Sequence, residues 1–446
     1  MVSFPAARAS ADEPKAPGAG ALDPLESFRV PPLSERMAIR EAWLEKRHAL
    51  LLDMMRRHGV GMWIVVNEEF HDDPLTQLVA PPRPYVGNRD LFVFVDAGER
   101  GLRRVAITGY SEEQLTRFFE APEDPKPAKE VLPALVAEHD PKTIALATGG
   151  RRGVTRSLTA DSEAWLREIL GPDASKRIVP AADLIEEYLD TRLPEERPVY
   201  ERMVAATEAL VARAFSREVI TPGATTIGEV RRWLYDRADA LGYDLWFQPD
   251  LRLQRRGMPN DTSRGFLAVA REEWVIQPGD LLHVDFGLVA MGLMTDWQKM
   301  AYVLRDGESD APEGLRAALA RTNALQDALC RSARPGREAG EVYTEVMGAM
   351  DARGIVAQVY SHPLGNQGHG LGASIDFRAA KRDDAAQRAA KTLRAGSYLA
   401  VELNTRSPVP EWEGQEVYVM QEDPAWLAED GYRFFRPRQE RFYRLP

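Results

Sequence analysis

The chain has 446 residues, of which 44% are hydrophobic and 28% charged, and its formal net charge is -11. This is the composition of a globular protein long enough for two domains, each with its own core. The acidic balance disfavours nucleic acid as the main partner, because a phosphate backbone needs a basic surface, and the single cysteine, Cys330, excludes an internal disulfide or a thiolate metal cluster.

The start of the chain, residues 1–27, is rich in Ala, Pro and Gly, and we predict that it is disordered. No apolar run approaches the roughly 20 residues that a membrane-spanning helix needs, so we expect no membrane association and a cytoplasmic protein. The stretch Ala9-Ser10-Ala11 would suit a signal peptidase, which makes export with a trimmed signal the alternative.

Residues 28–190 have the pattern of an α/β domain. Apolar residues at helical spacing predict a helix from residue 34 to about 58, with Gly59 as its stop. Short apolar runs then predict strands at residues 62–66, 91–95, 105–108 and 144–147. The segment has no phosphate-binding glycine motif and no nucleophile elbow, so we expect a structural or substrate-covering role.

Residues 191–446 form the second predicted domain and contain a faint internal repeat. Residues 279–286 and 396–403 align without a gap, and each has a carboxylate six residues after its glycine. Upstream, residues 222–230 are echoed by residues 335–342. Two similar halves would each supply one acidic strand, although segments this short also agree by chance.

Two aspartates eleven residues apart, Asp285 and Asp296, lie in a stretch of strand-like residues. If the hairpin folds between Ala290 and Met291, the two become directly opposed, with Cβ atoms about 5 Å apart. Unneutralised carboxylates at that distance repel, so we expect a cation between them. A pair of metal ions bridged by carboxylates and a water would meet this demand and activate the water.

Three further residues complete a candidate metal site. Glu402 and Glu416 lie in apolar strands, where an ionised carboxylate is costly unless it is paired or coordinated. His369 stands between glycines and would supply one nitrogen ligand. Singly, each residue also fits a turn, a solvated strand end or a loop; as an ordered set they indicate two divalent ions, with manganese expected and cobalt, zinc and iron as alternatives.

These residues give the second domain a resemblance to the creatinase and methionine-aminopeptidase superfamily, the pita-bread fold, and most to its proline-peptidase branch. The matching segments are residues 283–287 (HVDFG), 295–296 (TD), 368–372 (GHGLG), 401–402 (VE) and 415–416 (QE). The resemblance implies a creatinase-like α/β N-terminal domain, an α+β pita-bread catalytic domain with internal pseudo-symmetry, and commonly a homodimer. It also implies that Asp285 and Glu416 contact both ions and that Glu402 is the general base.

The sequence departs from this pattern outside the five ligands. A second histidine, seven residues beyond the ligand histidine, usually contacts the substrate; after His369 that position is Asp376. A histidine usual before the first aspartate strand is missing, and Gln254 is one of the polar residues that could replace it. The arginine common two residues before the last ligand is replaced by Gly414. Weak or altered activity is therefore one expected outcome.

Other side chains are candidates for the substrate region. His362 could supply the missing imidazole, or be an ordinary loop residue. His283 shares a strand face with Asp285 and would either orient a ligand or pack beneath the site. Trp246 and its neighbours would form an apolar substrate pocket or part of the core. Asp376, if it faces the cavity, would favour a cationic group of the substrate.

The resemblance thus implies a metal-dependent peptidase that hydrolyses short peptides, at Xaa-Pro bonds, through a metal-bridging hydroxide. The alternatives are a related hydrolase of a non-peptide amide or ester, because one fold serves several chemistries, and a catalytically weak homologue that keeps the metal site for stability.

Overall fold

The computed structural model describes residues 23–110, 113–263, 265–378 and 384–446. The predicted disorder of residues 1–22 lies outside the described residues, and for residues 23–27 the prediction is wrong. Pro24–Phe28 forms a short 3-10 helix, Leu25 is buried in the core of the second domain, and Asp23 forms an ion pair of 2.6 Å with Arg213. Burial and pairing here outweigh the polar composition.

The N-terminal part contains the predicted α/β elements. Its helices in the described residues are α1 (Leu33–Arg57), α2 (Thr76–Val79), α3 (Ala128–His139), α4 (Ala160–Ser175) and α5 (Ala182–Asp190). Its strands are β1 (Met62–Glu68), β2 (Arg89–Asp96), β3 (Leu102–Ile107), β4 (Ile144–Leu146) and β5 (Ile178–Pro180). The predicted long helix and four predicted strands are confirmed, whereas β5 was not predicted.

These strands form one sheet in the order β3-β2-β1-β4-β5. Alternation along β1 sends Trp63 and Val65 to one core and Met62, Ile64 and Val66 to another. Both faces of the sheet are therefore covered, as the continuous apolar runs require. We propose the domain boundary near residue 190, where α5 ends.

The second part contains helices α6 (Arg197–Ala214), α7 (Ile227–Ala240), α8 (Glu313–Ser332), α9 (Ala339–Asp351) and α10 (Ala385–Ala389). Its early strands are β6 (Asp244–Leu245), β7 (Asp250–Gln254), β8 (Thr262–Ser263), β9 (Phe266–Leu267), β10 (Leu281–Asp285), β11 (Leu288–Ala290), β12 (Leu293–Met294) and β13 (Gln298–Val303). The later strands are β14 (Val356–Leu364), β15 (Ile375–Asp376), β16 (Tyr398–Val409), β17 (Gln415–Ala428), β18 (Gly431–Phe434) and β19 (Tyr443–Leu445).

The main sheet of this part runs in the order β15-β14-β16-β17-β13-β10-β7, with β18 on β17 and β19 on β13. Its two halves are equivalent, which confirms the predicted pseudo-symmetry. Before α7 the amide of Gly223 donates to the carbonyl of Ile276, and before α9 the amide of Gly336 donates to that of Leu393. Helices α6 and α7 pack on one core and α8 and α9 on another, so each half brings its own acidic strand to the centre.

The two domains share buried surface. Leu371 of the second domain packs in the core of the N-terminal sheet, while Trp43 of α1 packs in the core of the second domain. Within the described ranges, every helix is too short or too polar to cross a membrane.

Candidate metal centre

Strand pairing draws one row of polar residues across the middle of the main sheet. Asp285 of β10 pairs with Asp250 of β7 on one side and with Gln298 of β13 on the other. Gln298 in turn pairs with Glu422 of β17, and Glu422 pairs with Glu402 of β16. Directly paired residues share a face of the sheet, so these side chains all project to the same side.

The predicted direct opposition of Asp285 and Asp296 is wrong, because the hairpin turns one residue later than expected. Val289 pairs with Met294, which centres the turn between Met291 and Gly292. Both turn residues have positive φ, 57° and 70°, as a two-residue turn of the primed type requires to match the strand twist. The shift places Gln298 opposite Asp285, while Asp296 lies in the segment just before β13.

The aspartates nevertheless reach a common site through two groups of potential ligands. Asp296, His362 and Glu422 form one group, and Asp285, Glu402 and Glu422 form the other; within each, one ligand atom per residue lies within 4.8 Å of the others. Glu422 belongs to both groups. The described residues therefore contain two adjoining groups of potential ligands with one shared carboxylate.

Glu416 lies outside this cluster, and its assignment as a ligand needs correction. It pairs with Pro408 near the turn end of the β16–β17 hairpin, six residues from Glu422 along the strand. Its side chain is 47% exposed and lies 3.4 Å from Arg406. An apolar neighbourhood in sequence suggested a buried carboxylate, but the end of a hairpin is open to water.

The histidines also exchange places relative to the prediction. His362 lies on β14, buried, with its Nε2 3.6 Å from Asp296, 3.5 Å from Glu402 and 3.4 Å from Glu422. His369 lies in the loop after β14 and is exposed, with its ring 4.6 Å from that of His362. It belongs to neither ligand group among the described residues. A histidine on a sheet strand is held inside the cluster, whereas the glycine-flanked one lies at its rim.

Electrostatics show how unfavourable the cluster is without a cation. Desolvation, followed by repulsion from Glu422, raises the pKa of both Asp285 and Asp296 well above the usual range. Desolvation and the charge of Glu402 raise the pKa of Glu422 to about 7. For His362, desolvation acts downward, but its interactions with Glu402 and Glu422 prevail and raise its pKa to about 10.

Buried atoms without a hydrogen-bond partner mark the same place. Within the described part of the chain they include Asp285 Oδ1, Asp296 Oδ1, His362 Nε2 and Glu422 Oε1. Buried polar atoms in native proteins are almost always satisfied, and carboxylate and imidazole ligands suit divalent ions. The donor set therefore fits the metal site that the sequence predicted, with His362 and Glu422 in place of His369 and Glu416.

A chain of hydrogen bonds runs from His283 through Gln298 to Glu402 and Glu422. His283, which is buried, contacts Gln298 Oε1 through its Nε2 at 2.9 Å. Gln298 Nε2 then donates to Glu402 Oε1 at 2.6 Å and to Glu422 Oε2 at 3.1 Å. Burial lowers the pKa of His283 to about 3, so the ring is neutral. Of the two roles considered for His283, orienting a neighbour of the site is the one that the contacts support.

Two predicted substrate residues are engaged elsewhere. Gln254 is fully buried and exchanges hydrogen bonds with the backbone N–H and C=O of Tyr418, both at 2.8 Å. The carboxylate of Asp376 is bonded to Arg378 at 2.9 and 3.1 Å. Gln254 thus joins two strands and the charge of Asp376 is offset by Arg378. Their contact with a substrate stays a prediction.

Trp246 does lie at the rim of the cluster. Its ring centroid is 5.2 Å from that of His369 and 4.4 Å from that of Phe247, and its indole N–H donates to the carbonyl of Thr295 at 2.9 Å. A Cβ at Gly368 would stand 2.4 Å from the indole ring. This close approach explains why a glycine precedes His369: a larger residue at that position would collide with Trp246.

Glu422 and Gln298 were not predicted, although a signal for Glu422 was present. The turn residues 410–414 separate two apolar strands. A hairpin centred on Trp412 places residue 422 opposite Glu402, which is the observed register. The cross-strand argument used for the aspartates, applied to this second hairpin, identifies the shared carboxylate.

Comparison with known proteins agrees with this geometry. Residues 199–423, a little more than half of the chain, match the profile of metallopeptidase family M24. No curated protein matches the sequence.

Three solved structures are similar over most of the chain. An X-Pro aminopeptidase from Thermotoga maritima has 15% sequence identity and a TM-score of 0.63, and the match covers 88% of this chain and 99% of that one. A Xaa-Pro dipeptidase from Bacillus anthracis has 16% identity, a TM-score of 0.61 and coverage of 89% and 99%. The prolidase from Pyrococcus horikoshii has 15% identity, a TM-score of 0.58 and coverage of 88% and 99%.

At these identities the similarity shows the fold, and the two-domain pita-bread architecture predicted from sequence is confirmed. Together with the family match over residues 199–423, it shows that the chain belongs to metallopeptidase family M24, with the fold of its proline-peptidase branch.

Proposed function

We propose that the protein is a dinuclear metallopeptidase that hydrolyses short peptides at Xaa-Pro bonds. The observation that carries the proposal is the pair of ligand groups that share Glu422 at the centre of the sheet. Four carboxylates gathered at one place are costly to bury unless cations offset their charge. The names of the similar structures, which are X-Pro aminopeptidase and Xaa-Pro dipeptidase, supply the substrate class.

In this proposal Asp296, His362 and Glu422 hold one ion, and Asp285, Glu402 and Glu422 hold the other. Manganese is the ion we expect, because the set is rich in carboxylates. Bound metal supplies a nucleophilic water at neutral pH and polarises the scissile carbonyl.

Glu402 is the proposed proton carrier. Its side chain is 16% exposed, more open than that of Glu422, so it can meet a reacting group at the edge of the cluster. Gln298 holds its Oε1 at 2.6 Å, which leaves Oε2 to accept and return a proton.

His369 is the proposed donor to the substrate carbonyl. When His369 was taken as the ligand, the position seven residues further on was Asp376 and the second histidine was missing. With His362 as the ligand, that position is His369, and the second histidine is present. Its ring lies at the exposed rim, 4.6 Å from that of His362. The expectation of weak catalysis depended in part on the absence of this imidazole, and the revised assignment supplies it, while the histidine expected before the first aspartate strand is still missing.

The aromatic pair Trp246 and Phe247 is the proposed wall for the proline ring. Both side chains are half-buried, and Trp246 lies against His369. A flat apolar surface beside the carbonyl donor would favour a rigid, apolar ring in the substrate.

Elemental analysis of the purified chain, followed by a panel of Xaa-Pro dipeptides, Xaa-Xaa dipeptides and simple esters with added Mn²⁺, tests the proposal. We expect bound metal and hydrolysis of Xaa-Pro peptides in preference to the others. Hydrolysis of esters alone would favour the non-peptide hydrolase, and metal binding with no hydrolysis of any substrate would contradict the enzymatic proposal.

Mutation of His369 to Ala tests its assigned role. The variant should bind metal as the unchanged chain does but lose about a hundredfold or more in kcat, as removal of a transition-state donor does elsewhere. Loss of metal instead of kcat would return His369 to the ligand set.

A further inference from the structure

Gln298 occupies the centre of the acidic row. Its amide lies between acidic side chains, where a positive charge would be expected. It pairs with Asp285 on one side and Glu422 on the other. It is the neutral member of a row whose other members, Asp250, Asp285, Glu422 and Glu402, are acids. A neutral side chain there limits the repulsion, and its N–H groups partly offset the charges beside it.

The orientation of this amide is fixed by its partners. Carboxylate oxygens accept hydrogen bonds, so the amide nitrogen must face Glu402 and Glu422, at 2.6 and 3.1 Å. The amide oxygen faces His283, whose neutral ring donates through Nε2 at 2.9 Å. With Gln298 and His283 both buried, this orientation has no competing partner in water.

The hydrogen bonds fall unequally on the two ligand groups. Gln298 engages both glutamates of the group formed with Asp285, but only the shared Glu422 of the group formed with His362. The oxygens that it leaves, Glu402 Oε2 and Glu422 Oε1, are those nearest to His362, at 3.5 and 3.4 Å. Gln298 therefore contacts the group with His362 through Glu422 Oε2 alone, whereas a cation in the other group meets two N–H donors, one on each glutamate.

We propose that Gln298 is a positioning residue that sets the order of metal loading: an ion enters beside His362 first, and the second ion displaces or strains the Gln298 amide. Hydrogen bonds to charged groups are strong enough that their loss should weaken the second binding step by about tenfold or more relative to the first. The inference rests on the metal site of the proposed function but concerns affinity, which is measured without substrate.

Calorimetric titration of the full chain with Mn²⁺, after removal of metal by a chelator, tests this order. The unchanged chain should bind in two steps, the second about tenfold or more weaker. Gln298→Ala should tighten the second step by about tenfold. Gln298→Asn, whose shorter amide cannot span both glutamates, should fall between them, and it provides a second variant if the alanine form does not fold.

Gln326→Ala is the matched control. Gln326 is also a buried glutamine, and its amide donates at 2.7 Å to Asp423, the residue after Glu422, outside the ligand groups. The control should leave both binding steps unchanged.

Equal affinities of the two steps in the unchanged chain, or an identical effect of the Gln298 and Gln326 substitutions, would overturn the inference. Absence of all Mn²⁺ binding would overturn the proposed function as well, whereas Mn²⁺ binding without peptide hydrolysis would overturn only the peptidase.

Discussion

Two buried glutamates in this protein have opposite electrostatic surroundings. Glu196, at the domain interface, and Glu422, in the acidic row, are 1% and 0% exposed. Desolvation raises the pKa of both, but for Glu196 the charges of Arg47 and Arg192 prevail and leave the pKa below its ordinary value. For Glu422 the neighbouring Glu402 adds to the desolvation, and the pKa rises to about 7.

The difference separates a charge that the fold offsets with arginines from one that it surrounds with acids. Arg47 lies 2.5 Å from Glu196, and the pair joins α1 to the start of the catalytic domain. Glu422 keeps an oxygen that has no hydrogen bond within the described residues, although His362 Nε2 lies 3.4 Å from it, and it faces other acids. The fold completes the ion pair of Glu196 from its own side chains, whereas Glu422 faces other acids and has His362 as a basic neighbour, which supports the proposed cation site.

The largest expected effect comes from exchanging Glu422 for Gln. If Glu422 is the shared ligand, peptide hydrolysis should fall by about three orders of magnitude, because the charge that holds both ions is lost. Glu416→Gln, on the same strand but exposed, should change the rate less than a few fold. Steady-state kinetics in Mn²⁺-replete buffer compares the two, and an equal loss in both variants would contradict the corrected ligand set.

The second prediction concerns Glu196. Its replacement by Gln leaves two buried guanidinium groups without their counter-charge, which should destabilise the folded protein by about 3 to 5 kcal/mol. Urea denaturation followed by circular dichroism measures the loss. Glu195→Gln is the control, because Glu195 is 41% exposed and its pair with Lys46 is solvated; this variant should unfold near the wild-type midpoint. Equal midpoints for both variants would show that burial does not distinguish the two pairs.

His48 extends the comparison to a buried base. Its Nε2 contacts the carbonyl of Val79 at 2.8 Å, and its ring packs against Phe94 and Phe119. Desolvation lowers its pKa from 6.5 to about 4. The unfolded chain then binds the proton more readily, so this contribution to stability is present above pH 6.5 and is lost as pH falls toward 4.

The expected loss for His48 is roughly 3 kcal/mol across that interval. Denaturation midpoints at pH 7, 5.5 and 4 measure it, with His48→Gln as the comparison, since glutamine can donate to the same carbonyl without titrating there. A pH dependence as steep in the variant as in the wild type would assign the acid sensitivity to other groups.

The smallest expected effect is that of metal removal on stability. An ion present at a hundred times its dissociation constant stabilises the folded state by about 2.7 kcal/mol. Chelation should therefore lower the melting temperature by a few degrees, and added Mn²⁺ should restore it. Glu422→Gln should weaken this response, while Glu196→Gln should keep it. If chelation left the melting temperature unchanged in every variant, cation binding at the acidic row would be contradicted.

Much of the architecture could be predicted from sequence because it depends on local pattern. Helical spacing before Gly59 gave α1 to within one residue at each end, and the apolar runs gave four strands of the N-terminal sheet. The repeat around Asp285 and Glu402 indicated two equivalent halves, because each half needs its own glycine turn and apolar strand.

The membership of the site could be predicted only in part. Asp285, Asp296 and Glu402 lie in the cluster as expected. Glu416 and His369 lie outside the ligand groups for a common reason. Each was assigned from a short motif and its spacing, and such a spacing does not fix which residue faces the centre of a sheet. A shift of one residue in a hairpin turn moves the partner of Asp285 from Asp296 to Gln298.

By itself, the sequence determined the elements and the chemistry: apolar periodicity specifies helices and strands, and acids in apolar strands imply a cation. Only the tertiary structure decided which acids and which histidine meet. That choice depends on strand register between segments far apart in the chain, where Glu422 comes to face both Glu402 and Gln298 while Glu416, six residues away, remains in water.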